Sequence, residues 1–196
     1  MFVKICGLRT PEDVRVAREA GADAIGVVIS SSSPRAVEPA LAAELVAGAE
    51  GLTTVMVCHD LGVDDAVATA REVGVDVLQL HGYDEADNRR GAELFDRVWR
   101  ATSATVGPTV VGAHGEEALL LDSRTPGSGE PWDLSVLDRR PEGRWLLAGG
   151  LDPDNVGASI AAARPWGVDV SSGVESVRGT KDHDLVRRFV AAVRGR

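Results

Sequence analysis

The feature that most constrains this chain is an alternation that runs from end to end. Short Val/Ile/Leu-rich runs are separated by Ala-rich stretches with helical periodicity. The candidate strands are Phe2–Cys6, Asp23–Ile29, Thr53–Val57, Asp76–Leu80, Arg97–Ala101, Ala118–Asp122, Arg144–Ala148 and Gly167–Ser171. They are mostly apolar rather than strictly alternating, which is the pattern of parallel strands covered on both faces. Eight strand–helix units without interruption predict a single α/β domain over residues 1–196, a (β/α)8 barrel in preference to a doubly wound sheet. With 196 residues the chain sits just under the usual lower bound of about 200 for that barrel, which leaves no room for an inserted domain.

Local signals mark the helix ends. Thr10, Pro11 and Asp13 read as an N-cap, a first-turn proline and a capping acid. Asp152, Pro153 and Asp154 repeat that grammar before N-V-G-A-S-I-A-A-A. Gly21, Gly74 and Gly167 each stand at a helix exit, with an Asp two positions later. The segment from Thr102 to Glu117, with Gly107, Pro108, Gly112 and Gly115, predicts an irregular connection instead of a full helix.

Charge and composition narrow the function. A net charge of −9 argues against a binder of nucleic-acid backbone, and 4% aromatic residues are too few for a base-stacking platform. No apolar run approaches the roughly 18 residues of a membrane helix. The opening M-F-V-K-I-C-G lacks the layout of a secretory leader, so the expectation is a cytoplasmic protein. The two cysteines, Cys6 and Cys58, supply neither a disulfide framework nor a metal knuckle.

In a barrel of this kind the chemistry lies at the C-terminal ends of the strands. Cys6, at the end of the first strand, reads as a thiolate base or as a small core residue. Asp122, after A-L-L-L, is paired, exposed at the rim, or an acid; with Cys6 it would make a proton shuttle. Gly149 and Gly150 after strand seven, and Ser171, Ser172 and Gly173 after strand eight, read as a phosphate cradle, where glycines admit backbone N–H groups and serines add donors. Arg35, after S-S-S-S-P, is a carboxylate clamp or a solvated loop residue. His81 reads as a polar pocket wall, whereas His114 and His183 read as surface residues. Cys58, His59 and Asp60 are adjacent and cannot all face one ion, so no metal site is expected.

Six segments, taken in order, carry a resemblance. They are V-K-I-C-G-L, A-D-A-I-G-V-V followed by S-P-R, L-Q-L-H-G, L-L-L-D, L-A-G-G-L-x-P-x-N-V, and G-V-D-V-S-S-G-V-E with a following K-D. Together, from Val3 to Asp182, they resemble the N-(5′-phosphoribosyl)anthranilate isomerases of tryptophan biosynthesis. The resemblance implies a cofactor-free Amadori rearrangement of an aminoaldose to an aminoketose. It implies that Asp122 is the general acid, that Cys6 is the general base, and that Arg35 faces the anthranilate carboxylate. Gly149, Gly150, Ser171, Ser172 and Gly173 would hold the phosphate, and His81 and Asp169 would join them at a small phosphorylated substrate. The protein would act as a monomer or homodimer. Two segments depart from the family pattern. S-R-T-P-G-S-G (Ser123–Gly129) replaces a G-G-T-G loop, bringing Arg124 and a stiffening Pro126, and V-C-H-D ends strand three. An epimerase barrel would need metal-ligating His and Asp residues at the strand ends. A non-catalytic phosphosugar binder would be free to lose Cys6 and Asp122.

Overall fold

The computed structural model describes residues 1–103, 109–122 and 141–195. Eight parallel strands close a barrel in chain order. They are β1 (Phe2–Cys6), β2 (Ala24–Ile29), β3 (Thr53–Cys58), β4 (Val77–His81), β5 (Val98–Ser103), β6 (Ala118–Asp122), β7 (Trp145–Leu147) and β8 (Gly167–Val170). The ring closes where β8 pairs with β1, Val3 opposite Val168 and Lys4 opposite Asp169. A short hairpin of β9 (Glu175–Val177) and β10 (Thr180–Lys181) follows β8.

Both faces of the strands are apolar because each face has its own core. Outward residues such as Val3, Ile5, Ile25, Met56, Leu78 and Leu119 pack under the helices. Inward residues such as Ala24, Val28, Val55, Val57, Trp99, Leu120 and Leu146 fill the lumen. At the N-terminal end Phe2 stacks on Trp166 with ring centroids 4.4 Å apart and meets Trp99 edge-on at 5.9 Å. That aromatic plug closes one end of the barrel and leaves the other for a site.

The helices among the described residues are α1 (Pro11–Ala20), α2 (Pro39–Ala47), α3 (Val63–Val73), α4 (Glu85–Leu94), α5 (Val156–Ala163) and α6 (His183–Arg194). The start of α1 is the expected capping box: Thr10 Oγ1 accepts from the Asp13 amide, and Asp13 Oδ2 accepts from the Thr10 amide, each at 3.1 Å. No described helix is long and apolar enough to cross a membrane.

Three expectations need correction. Gly21 and Gly74 do end their helices in the left-handed region, at φ 90° and 78°. Asp23 and Asp76 then accept the Val3 and Thr54 amides at 2.7 and 2.8 Å, tying each strand to its neighbour. Gly167 is different. It lies inside β8, where a Cβ would come within 2.9 Å of the Phe2 carbonyl oxygen, and Arg164 (φ 51°) makes the left-handed turn instead. The same two-residue offset therefore carries Asp169 into the barrel, not beneath it.

The second correction concerns α5, which starts at Val156. Asp152 Oδ1 accepts from the amides of Asp154 and Asn155, each at 2.8 Å, so it caps a turn ahead of the helix. The third concerns His114, which is buried, while His183 is half-exposed and bonded to Asp13 at 2.9 Å. The described part of the β5–β6 connection, residues 109–117, forms turns and no helix, as expected. Gly112 and Gly115, at φ 83° and 90°, fold it under β5, where Arg100 on the outer face pairs with Glu116 at 2.9 Å. His114 is buried with that pair, its amide 2.8 Å from Glu116.

Candidate active site

A cavity of about 540 Å³ opens among the C-terminal ends of the strands. Its wall brings together Cys6 from β1, Arg35 after β2, His81 from β4, Asp122 from β6, Gly149 and Gly150 after β7, Asp169 from β8, and Ser171 and Ser172 beyond it. Gly173 lies outside the wall. A Cβ there would sit 1.8 Å from the Leu151 carbonyl oxygen, so only glycine lets the loop after β8 rest on the loop after β7. Ser123–Gly129, with Arg124 and Pro126, lies outside the described residues.

Cys6 is buried at the foot of the cavity. Burial pushes its thiol pKa up, while the Lys4 and Lys181 ammoniums pull it back. Asp122, with a 12% exposed side chain, lies 3.9 Å from His81 Nε2. Burial, with His59 and Lys4 nearby, lowers the His81 pKa to about 4, so its ring is neutral near pH 7. His59 also lines the cavity, with its Nδ1 3.1 Å from the His81 carbonyl oxygen.

Arg35 reaches the cavity across Gly7, whose φ of 76° and missing Cβ leave a path for the arginine stem; a Cβ would meet Arg35 Cδ at 2.7 Å. Glu175 on the hairpin grips the guanidinium with both oxygens, at 2.6 Å to Nε and 3.0 Å to Nη2. Lys181 Nζ bonds the same carboxylate at 2.9 Å and the Ser171 carbonyl at 2.9 Å. Burial opposes the Glu175 charge, yet Arg35 and Lys181 hold its pKa at about 2. The hairpin thus fixes the orientation of Arg35.

On the β7 side Gly149 and Gly150 adopt φ values of 84° and 63°. Asn155 Nδ2 donates to the Gly150 carbonyl at 2.7 Å and its Oδ1 accepts from the Asp152 amide at 2.9 Å. On the β8 side the Ser171 hydroxyl donates to the Cys6 carbonyl at 3.1 Å, tying the loop to the thiol strand. Backbone so held, with no side chains on the glycines, is suited to bind an anion.

Four wall or supporting residues were given no role by sequence reasoning: Lys4, Gln79, Glu175 and Lys181. The first could have been found by parity, since position 4 faces the same way as position 6 in a strand. Gln79 lines the cavity and its buried Oε1 has no hydrogen-bond partner among the described residues.

A parallel eight-stranded barrel with a thiol, a carboxylate and two glycine-rich loops converging on one mouth defines a (β/α)8 enzyme built for proton transfer on an anionic ligand. The model of the N-(5′-phosphoribosyl)anthranilate isomerase family matches residues 3–192, and the chain belongs to that family, the aldose–ketose isomerases of tryptophan biosynthesis. The isomerase from Acidithiobacillus ferrooxidans is 43% identical, with 98% of this chain and 97% of the relative covered. The crystal structure of TrpF from Jonesia denitrificans superposes with a TM-score of 0.93 at 49% identity, covering 100% of this chain and 97% of that one. A phosphoribosylanthranilate isomerase solved with reduced 1-(o-carboxyphenylamino)-1-deoxyribulose 5-phosphate superposes with a TM-score of 0.81 at 30% identity, covering 100% of both chains.

Proposed function

We propose that this cavity converts N-(5′-phosphoribosyl)anthranilate to 1-(2-carboxyphenylamino)-1-deoxyribulose 5-phosphate, with Asp122 as general acid and Cys6 as general base. One observation carries the assignment: Cys6 from β1 and Asp122 from β6 line a single cavity that also receives both glycine-rich loops. The Asp122 carboxyl protonates the furanose ring oxygen, and the ring opens to a protonated Schiff base. The Cys6 thiolate removes the C2′ proton, and the electron pair left behind neutralises the iminium to give an enolamine. A proton then returns to C1′ as the C2′ hydroxyl gives up its own, which leaves the ketone at C2′ and replaces the proton Asp122 donated. Electrons stay within the substrate, so the step needs no redox partner.

The loops at Gly149–Gly150 and Ser171–Ser172 hold the phosphate, with Gly173 locking them together. Arg35, oriented by Glu175, faces the anthranilate carboxylate, and His81 forms a neutral wall beside the acid. Asp169 acts at the floor through Lys4. The chain works as one barrel domain, residues 1–196, in the cytoplasm. A monomer or homodimer both fit, since a solved relative comprises monomers generated from the dimeric isomerase of Thermotoga maritima, with a TM-score of 0.82 at 30% identity.

The test is turnover, followed by the loss of anthranilate fluorescence. Cys6→Ala and Asp122→Asn should each lower kcat by ~10² to 10⁴-fold, the range typical of general acid–base groups. Competitive inhibition by inorganic phosphate should stay unchanged in both, because the lost groups act in the transition state. Near-normal turnover in Cys6→Ala would remove the base assignment.

A further inference from the structure

Lys4 has none of its surface exposed, and it points into the barrel lumen two residues before Cys6. A buried ammonium is costly, and its Nζ is bonded to Asp169 Oδ1 at 2.9 Å. Replacing such a pair by apolar residues of the same volume often costs nothing, and Ala24, Val28, Val55 and Leu146 fill the lumen together with the buried Gln79. Packing alone therefore gives no reason for a lysine here.

The contacts point to the thiol. Gly26 on β2 leaves a slot beside β1, and a Cβ built there would come within 2.9 Å of Cys6 Sγ and 3.3 Å of Lys4 Cε. The end of the lysine and the sulfur therefore share the space that the glycine leaves. Asp169 on β8 holds the ammonium there from the other side.

We propose that Lys4 is a positioning residue for the Cys6 base: its ammonium, anchored by Asp169, stands beside the sulfur and stabilises the thiolate when Cys6 gives up its proton at the floor of the cavity. This rests on the assignment of Cys6 as the base. The charged groups that act on Cys6 are Lys4 on β1, Asp169 on β8, Lys181 on β10 and Arg35 after β2; His81 on β4 and Asp122 on β6 share the cavity wall. Burial is the largest influence on the thiol and pushes it up. Lys4 is the strongest counterweight, ahead of the opposing push from Asp169. Burial also works against the Lys4 charge, but Asp169 and Cys6 outweigh it and keep the amine protonated.

The two cysteines allow a direct measurement, since Cys58→Ala leaves Cys6 as the sole thiol. In that background, the rate of iodoacetamide alkylation against pH reports the Cys6 thiolate, and kcat/KM against pH reports the base. Lys4→Met should raise both midpoints together by about one unit or more, a tenfold or greater loss of thiolate below the midpoint. Inhibition by inorganic phosphate should not change. The double variant Lys4→Met/Asp169→Asn leaves no unpaired buried charge, so it covers the case in which Lys4→Met fails to fold. It should also shift upward, by less than Lys4→Met alone, because the pull of Lys4 on the thiol exceeds the push of Asp169. A folded variant whose alkylation midpoint does not move overturns the proposal. If the alkylation midpoint moves while the kcat/KM profile stays in place, the base assignment falls and the catalytic role of Lys4 falls with it.

Discussion

Replacing Gly173 by alanine tests whether the two loops form one anion site. The added Cβ would lie 1.8 Å from the Leu151 carbonyl oxygen and 2.8 Å from its carbon, both backbone atoms that no rotamer can clear. Relief to ordinary contact at 3.4 Å requires the loops to part by about 1.6 Å. Ser172 and Gly150 line the cavity from those two loops, so donors converging on one phosphate would be pulled apart by a distance comparable to a hydrogen bond's working range. Losing one bond to a charged group costs about 1.5–3 kcal/mol, or roughly 10- to 150-fold in affinity. The expected result is a 10- to 150-fold rise in the inhibition constant of inorganic phosphate and a matching fall in kcat/KM, measured by the fluorescence assay. Thermal unfolding run in parallel should show the variant folded, because the contact lies beyond the ends of β7 and β8 and touches no strand of the barrel. A folded Gly173→Ala protein with unchanged phosphate inhibition would refute the idea that these loops act as one cradle.

Two other outcomes follow from the site. Folding holds His81 at about 4, below the ordinary 6.5, so its neutral form stabilises the fold above pH 6.5 and that contribution is lost as pH falls from 6.5 towards 4. His81→Gln should therefore lose less melting temperature than the parent between pH 7.5 and 4.5; equal losses would show that the ring does not titrate as a buried group. On substrate range, the enzyme should rescue a tryptophan auxotroph but not the matching histidine auxotroph, whose aminoaldose carries a phosphate at each end. Asp60 is fixed at the exit of β3 by the Ser31 amide at 2.9 Å and the Ser31 hydroxyl at 2.6 Å, and Asp84 caps α4 after β4, so carboxylates stand where a second phosphate would approach. Rescue of both strains would show that this rim does not exclude the second phosphate.

The strands were legible to within a residue or so because a doubly buried strand is apolar on both faces, a signal that survives without knowledge of its neighbours. The loops after β7 and β8 were legible because glycine and serine are chemically pointed there. Lys4 was not, since a lone lysine in a strand reads as a solvated residue until its counter-ion is known, and Asp169 lies 165 positions away. Asp169 was placed at the substrate by the family resemblance alone, because its local pattern is shared with Asp23 and Asp76, which serve at the opposite end of the barrel. His114 misled because a histidine between glycines looks exposed. Only the fold shows that, with turns and no helix over this part of β5, the turn itself becomes the cover.

The seam between β1 and β8 gives the site a particular place in the life of the chain. Lys4 to Asp169 and Cys6 to Ser171 both span 165 positions, close to the longest separations the chain permits. Contacts of such range form late, after the entropy of bringing distant segments together has been met. Cys6 is made 165 positions ahead of the serine that holds its strand, and its lysine as far ahead of the carboxylate that seats it. A nascent or partly folded chain therefore lacks the lysine–carboxylate pair beside the thiol. The complete site appears with ring closure, which makes catalytic competence a direct readout that the last strand has found the first.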